Sequence, residues 1–149
     1  AVTRAIHDRY SAEKRNPYNE IECSDHYARA MASYGTFLSA CGYDYNGPEG
    51  KLGFNPRMSP ENFKAAFTTA EGWGTYSQKK QGNAWTAGVA LKYGQLTLRE
   101  LKLAFPLKKV RVTVDGKPAP DFKVEKGVLV WGTPLTLKAG QTLTVQTGA

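Results

Sequence analysis

The densest group of chemistry-bearing side chains lies between residues 15 and 33, in the run RNPYNEIECSDHYARAMAS. Asn16-Pro17 starts a turn, because the residue before a proline avoids the helical region. Asn19-Glu20-Ile21-Glu22 then reads as extended, and alternation places Glu20 and Glu22 on one face with Ile21 on the other. A helix begins immediately afterwards. Two glutamates, Asp25, His26 and Arg29 therefore gather within about two helical turns. Polar residues at this density beside a helix start point to a lined pocket.

Three chemistries compete for this cluster. In the simplest, Glu22 and Asp25 serve the helix dipole and cap, and Arg29 pairs with Glu20 or Asp25. In a second, Glu22, Cys23 and His26 hold a metal; His26 lacks a partner at metal-ligand spacing, and the other histidine is His7, so no metal is expected. In a third, Glu20 and Glu22 act as general acid and nucleophile. Residues i and i+2 of a strand lie about 6.6 Å apart, which falls within the carboxyl separations of glycoside hydrolysis. Both groups would approach the same face of a sugar, whereas that chemistry needs opposite sides. A self-contained catalytic dyad is therefore excluded, and no cofactor is called for.

The elements that must position the cluster change character near residue 50. The clearest helix is expected over Asp25–Cys41, with Ser24 as N-cap and Gly42 just past its end. One stripe carries Tyr27, Met31, Tyr34, Leu38 and Cys41; another carries the small residues Ala28, Ala32, Gly35 and Ser39. A helix packed on two faces is expected, with neighbours supplied by upstream sequence or another chain. Ser59-Pro60-Glu61 carries the signals of a short helix ending near Ala66. Beyond it, Phe67–Gln78 reads as a strand interrupted by Glu71-Gly72-Trp73-Gly74. Ala84–Tyr93 and Gln95–Phe105 follow, separated by Gly94. The alternation of Leu96, Leu98, Leu101, Leu103 and Phe105 slips once, which predicts a bulge at Arg99-Glu100. Val110, Val112 and Val114 run into the hairpin signal Asp115-Gly116. Phe122–Val124, Val128–Trp131 and Leu143–Val145 complete an expected antiparallel sheet or sandwich. Trp73, between glycines, is either a ring presented to a sugar or a core residue whose glycines permit close packing, and the core is favoured. Trp85 and Trp131 fit core or sheet-edge positions.

Length and composition agree with a folded protein. The chain has 149 residues, 41% hydrophobic and 22% charged, enough for one domain or two small units. No apolar run approaches the roughly 20 residues that span a bilayer. The chain does not begin with Met, and a processed product or fragment is expected. Residues 1–50 carry five Lys/Arg against seven Asp/Glu, and residues 51–149 carry fifteen against six. The basic half is +9, but its lysines are scattered along strand-like segments; only Lys79-Lys80 and Lys108-Lys109-Val110-Arg111 cluster, and neither carries a nucleic-acid motif. No specific nucleic-acid partner is expected. Cys23 and Cys41, separated by about 27 Å if helical, are expected to be free thiols, which leaves the compartment open.

The run RNPYNEIECSDHYARAMASYG, followed by CGYDYNGP, resembles the end of the bile-acid β-glucosidase/non-lysosomal glucosylceramidase family (glycoside hydrolase family one hundred and sixteen). The likeness is dense over Arg9–Pro48. The stretch LGFNPRMSPENFKAAFTTAEGWGTYSQ resembles a C-terminal extension of some bacterial relatives. The resemblance implies an (α/α)6 barrel that cleaves β-glucosides with retention. It implies that Glu20 and Arg29 contact sugar hydroxyls; carboxylate and guanidinium suit hydroxyl pairs. Asn19, Glu22 and His26, near them in the sequence, are expected to support them. The family's nucleophile and acid/base lie upstream of this motif, so the chain alone is expected to be inactive. The resulting expectation is an α+β chain: residues 1–50 as the last helical segment of an (α/α)6 barrel, and residues 51–149 as an antiparallel β-rich C-terminal extension. Its partners would be a β-glucoside or other glycoside and the remainder of the parent enzyme. The rival expectation is a non-catalytic β-rich module that docks on a larger partner.

Overall fold

The computed structural model describes residues 1–15 and 27–148. The chain divides into two compact units, Ala1–Ser39 and Ala40–Ala149.

The first unit is helical. Helix α1 spans Val2–His7, where the Arg4 Nε–H is shared between the two Asp8 carboxylate oxygens at 2.8 and 3.0 Å across one exposed turn. Helix α2 spans Tyr27–Cys41, close to the expected range, and Gly42 ends it at φ +55°. This is the left-handed C′ conformation that glycine adopts without penalty. Asp25 and the expected cap Ser24 lie outside the described residues. Met31, Tyr34 and Phe37 of α2 are exposed, the last two stacked at 5.8 Å. Residues 4–15 and 33–39 are exposed or half-buried, none of them buried. Among the described residues, no helix is long and apolar enough to cross a membrane.

The second unit is built from ten strands. They are β1 (Asp44–Asn46), β2 (Lys51–Phe54), β3 (Asn62–Thr68), β4 (Gly72–Gln81), β5 (Ala84–Leu103), β6 (Val110–Val114), β7 (Lys117–Pro118), β8 (Phe122–Glu125), β9 (Val128–Lys138) and β10 (Thr142–Thr147). One sheet runs β3-β4-β5-β10-β6-β7 and the other β1-β2-β5-β9-β8. The N-terminal half of β5 belongs to the first sheet and its C-terminal half to the second. The inward rows of both sheets merge in one core, with Val89, Leu91, Leu143 and Val145 from one and Leu98, Leu101, Leu129 and Leu137 from the other. Alternation of this kind buries one face of each sheet and leaves the other to solvent.

Three expectations change. Ser59–Ala66 is not a helix: Ser59 sits in a turn at φ +46°, and Asn62–Thr68 pairs residue for residue with Lys79–Trp73. The local helix-start signal loses to the period-two placement of Phe63, Ala65 and Phe67, which the sheet can bury. The sheet is mixed rather than antiparallel, because β2 runs parallel to β5. Gly94 does not separate two strands but bends one 20-residue strand. The expected slip is present: the register shifts between Leu98 and Glu100, and the Gly50 carbonyl accepts both the Arg99 and Glu100 amides at 2.8 and 3.1 Å. The Asp115-Gly116 hairpin is also as expected, with both residues at positive φ, 50° and 78°. The sheet starts at Asp44, ahead of the composition change near residue 50.

One polar pair in the core, Tyr76 and Gln78, satisfies itself. Tyr76 is fully buried, its ring stacked on Phe54 at 3.8 Å and 2°. Its hydroxyl donates to Gln78 Oε1 at 2.6 Å, and the Gln78 amide donates to the Pro60 carbonyl. Burial pushes the Tyr76 phenol well above its ordinary pKa. The neutral form is therefore the folded form, and its advantage is complete below the unfolded value of about 10 and lost as pH rises beyond it. Denaturant titrations should show stability falling above pH 10, with Tyr76→Phe free of that part of the decline. At neutral pH the same variant should lose about 1–3 kcal/mol, because Gln78 Oε1 is left buried without its donor.

Candidate functional site

The motif singled out in the sequence lies mostly beyond the described residues: Asn19, Glu20, Glu22, Cys23 and His26 all fall there. Arg29 is in the first turn of α2, and no position for its side chain is described. The structure therefore brings none of these residues together and separates none of them. Cys41 is buried with a free thiol, and burial raises its pKa, which keeps it protonated and unreactive. Among the described residues no group of three His, Cys, Asp or Glu is placed to hold a metal.

The described site with the most chemistry is where β5 passes from one sheet to the other. Along the β4–β5 ladder Trp73 opposes Tyr93 and Gly72 opposes Gly94, and the Gln95 amide donates to the Glu71 carbonyl at 3.1 Å. The backbones approach so closely that side chains are excluded. A Cβ on Gly94 would lie 1.9 Å from the Glu71 oxygen, one on Gly72 2.5 Å from the Tyr93 oxygen, and one on Gly74 2.2 Å from the Ala90 oxygen. Gly94 also sits at φ +74°. The Gly72 carbonyl accepts both the amide and the hydroxyl of Thr69, at 2.7 and 2.9 Å, which closes the preceding hairpin.

This glycine rung separates two rungs that carry side chains. On one side stand Trp73 and Tyr93, 51% and 66% exposed. The expectation that Trp73 is a core residue is thus reversed: its glycines do serve close packing, but the even-numbered positions of β4 face inward and Trp73 faces out. On the other side the Gln95 side-chain amide donates to Glu71 Oε2 at 2.8 Å. Glu71 and Gln95 border a cleft of about 330 Å³ with Tyr45, Pro48 and Thr97. The Tyr45 hydroxyl accepts the Ala70 amide at 3.4 Å, and its ring stacks against Tyr43 at 6.3 Å. The cleft has one carboxylate and no second acid among its lining residues. It can bind hydroxyl groups, but it does not hold the carboxyl pair that glycoside cleavage requires. Trp85, by contrast, is half-buried and stacked on Phe105 at 5.0 Å, and Trp131 is buried in the core, as their strand patterns suggest.

Sequence reasoning missed Tyr93, Gln95, Tyr45 and the role of Glu71. The available signal was the repeated glycine at 72, 74 and 94, which marks two backbones meeting.

No protein family and no curated protein matches the chain. Among solved structures, a GH127 β-L-arabinofuranosidase from Geobacillus stearothermophilus T6 is similar over 83% of this chain, at 15% identity and a TM-score of 0.45. The chain spans 18% of that enzyme's length. A likeness of this size bears on neither substrate nor catalytic residues.

The crossover makes a sharp stability prediction. Gly94→Ala should cost more than about 1 kcal/mol, through a strained backbone and a backbone collision. Gly132→Ala, where an added Cβ meets nothing within 4 Å, should change stability by no more than about 0.5 kcal/mol. Urea denaturation of the two variants measures the difference.

Proposed function

We propose that this chain is the C-terminal part of a retaining β-glucosidase-like glycoside hydrolase, where it binds the sugar and does not cleave the glycosidic bond. The observation that carries the reading is the run Asn16-Pro17-Tyr18-Asn19-Glu20 leading into the helix whose first turn holds Arg29. In this reading Glu20 and Arg29 hold sugar hydroxyls by charge-assisted hydrogen bonds, with Asn19, Glu22 and His26 supporting them. Binding that tightens as the ring distorts lowers the barrier for catalytic groups supplied by the remainder of the parent enzyme. The exposed Met31, Tyr34 and Phe37 of α2 favour this arrangement, since a barrel helix needs neighbours on its flanks.

A second reading makes the chain a β-rich module that docks on a larger partner. The self-contained core of residues 40–149 favours it, because that unit buries its apolar rows without outside help.

The two separate in the complete enzyme. Glu20→Gln and Arg29→Ala should each weaken iminosugar binding and lower kcat/KM by about tenfold or more, the scale of one lost charge-assisted hydrogen bond. Unchanged values in both variants contradict the sugar-binding role and leave the docking module.

A further inference from the structure

We propose that the β5 crossover is a second carbohydrate-binding site, one that takes a neutral pyranoside. It goes beyond the role of Glu20 and Arg29 and does not depend on it; only the choice of a β-linked glucose probe rests on that reading.

Trp73 and Tyr93 occupy directly opposed positions on neighbouring strands, and both are more than half exposed. Large aromatic rings held in water lose the burial that normally stabilises them. Here they are carried by a backbone that three glycines lock against its neighbours, so their placement is not free to relax inward. A flat ring of this kind matches the C–H face of a pyranose.

Two ladder positions away, beyond the glycine rung, lies a cleft that neither ring lines but whose polar groups are already oriented. Gln95 Nε2 fixes Glu71 Oε2 at 2.8 Å, which leaves the Glu71 Oε1 atom and the Gln95 carbonyl oxygen as acceptors for sugar hydroxyls. Thr97 borders the same cleft and shares a 3.2 Å hydrogen bond with Thr136. A cleft of about 330 Å³ falls at the lower end of small-molecule sites. The carboxylate at its border disfavours anions, so uronic acids and phosphates are poor ligands. The class that fits apolar faces, fixed hydrogen-bond acceptors and low net charge together is a neutral sugar.

The test uses the full 149-residue chain, labelled with ¹⁵N and titrated with cellobiose. The Trp73 indole N–H and the Gln95 side-chain amide should shift together and saturate. Trp73→Ala and Glu71→Ala should each weaken that binding by about tenfold. Both residues are exposed, so neither variant removes core packing. Glu20→Gln should leave the crossover shifts in place, which keeps this site separable from the first. Absence of shifts at Trp73 and Gln95, shifts confined to residues 15–29, or binding indifferent to both crossover variants would each overturn the inference. Shifts confined to residues 15–29 would do so while sparing the role of Glu20 and Arg29.

Discussion

The second unit depends on one constraint: β5 must belong to two sheets at once. Twenty consecutive residues supply a central strand to each, so the strand has to turn a corner without losing its backbone partners. It does so at Gly94, where the left-handed φ and the missing Cβ let the chain pass against Glu71 and Gly72. The β9–β10 turn supports the corner from the other side, where the Ala139 amide donates to the Gly94 carbonyl and the Gly140 amide to Leu91, at 3.0 and 2.9 Å. Inward of the corner lies one merged core of leucine, valine and aromatic side chains. Everything outward of it, the aromatic rung and the Glu71–Gln95 pair, is presented because the corner admits no side chain of its own.

The two units differ in how they satisfy their apolar residues. Residues 40–149 bury a core of their own, in which Tyr76 and Gln78 are paired with each other and the Trp131 indole N–H is left without a partner. In the first unit residues 4–15 and 33–39 include no buried residue, and α2 shows Met31, Tyr34 and Phe37 to solvent. That contrast agrees with a helical segment that shares its core with other sequence, joined to a β unit that does not need to.

Local pattern carried a good part of this fold. The helix ending at Gly42, the bulge at Arg99, the Asp115-Gly116 hairpin and the burial of Trp131 all follow from periodicity and turn chemistry acting over a few residues. What local pattern missed is non-local. Ser59-Pro60-Glu61 carries a helix start, but seven paired residues of β4 pull Asn62–Thr68 into the sheet. Gly94 looks like a break because its own neighbours do not reveal that Glu71 and Gly72 stand against it. Trp73 looks like core because only the register with Tyr93 and the inward row of Gly74, Tyr76 and Gln78 tells which way it faces. The run Asn16–Arg29 drew notice through its residue types alone, and most of it lies outside the described residues. The crossover cleft was not legible, since Tyr45, Glu71, Gln95 and Thr97 come from segments joined only by sheet pairing.

The continuity of β5 is open to a direct reading by native-state hydrogen exchange. The amides of Leu91, Gln95 and Glu100 lie before, at and after the corner, and each donates to a backbone carbonyl. A single strand that ties both sheets predicts that all three exchange through the same global opening, with one free energy and one denaturant dependence. Exchange of Glu100 through a separate, lower-energy opening while Leu91 stays protected would mean the sheets come apart at Gly94, and would contradict the account.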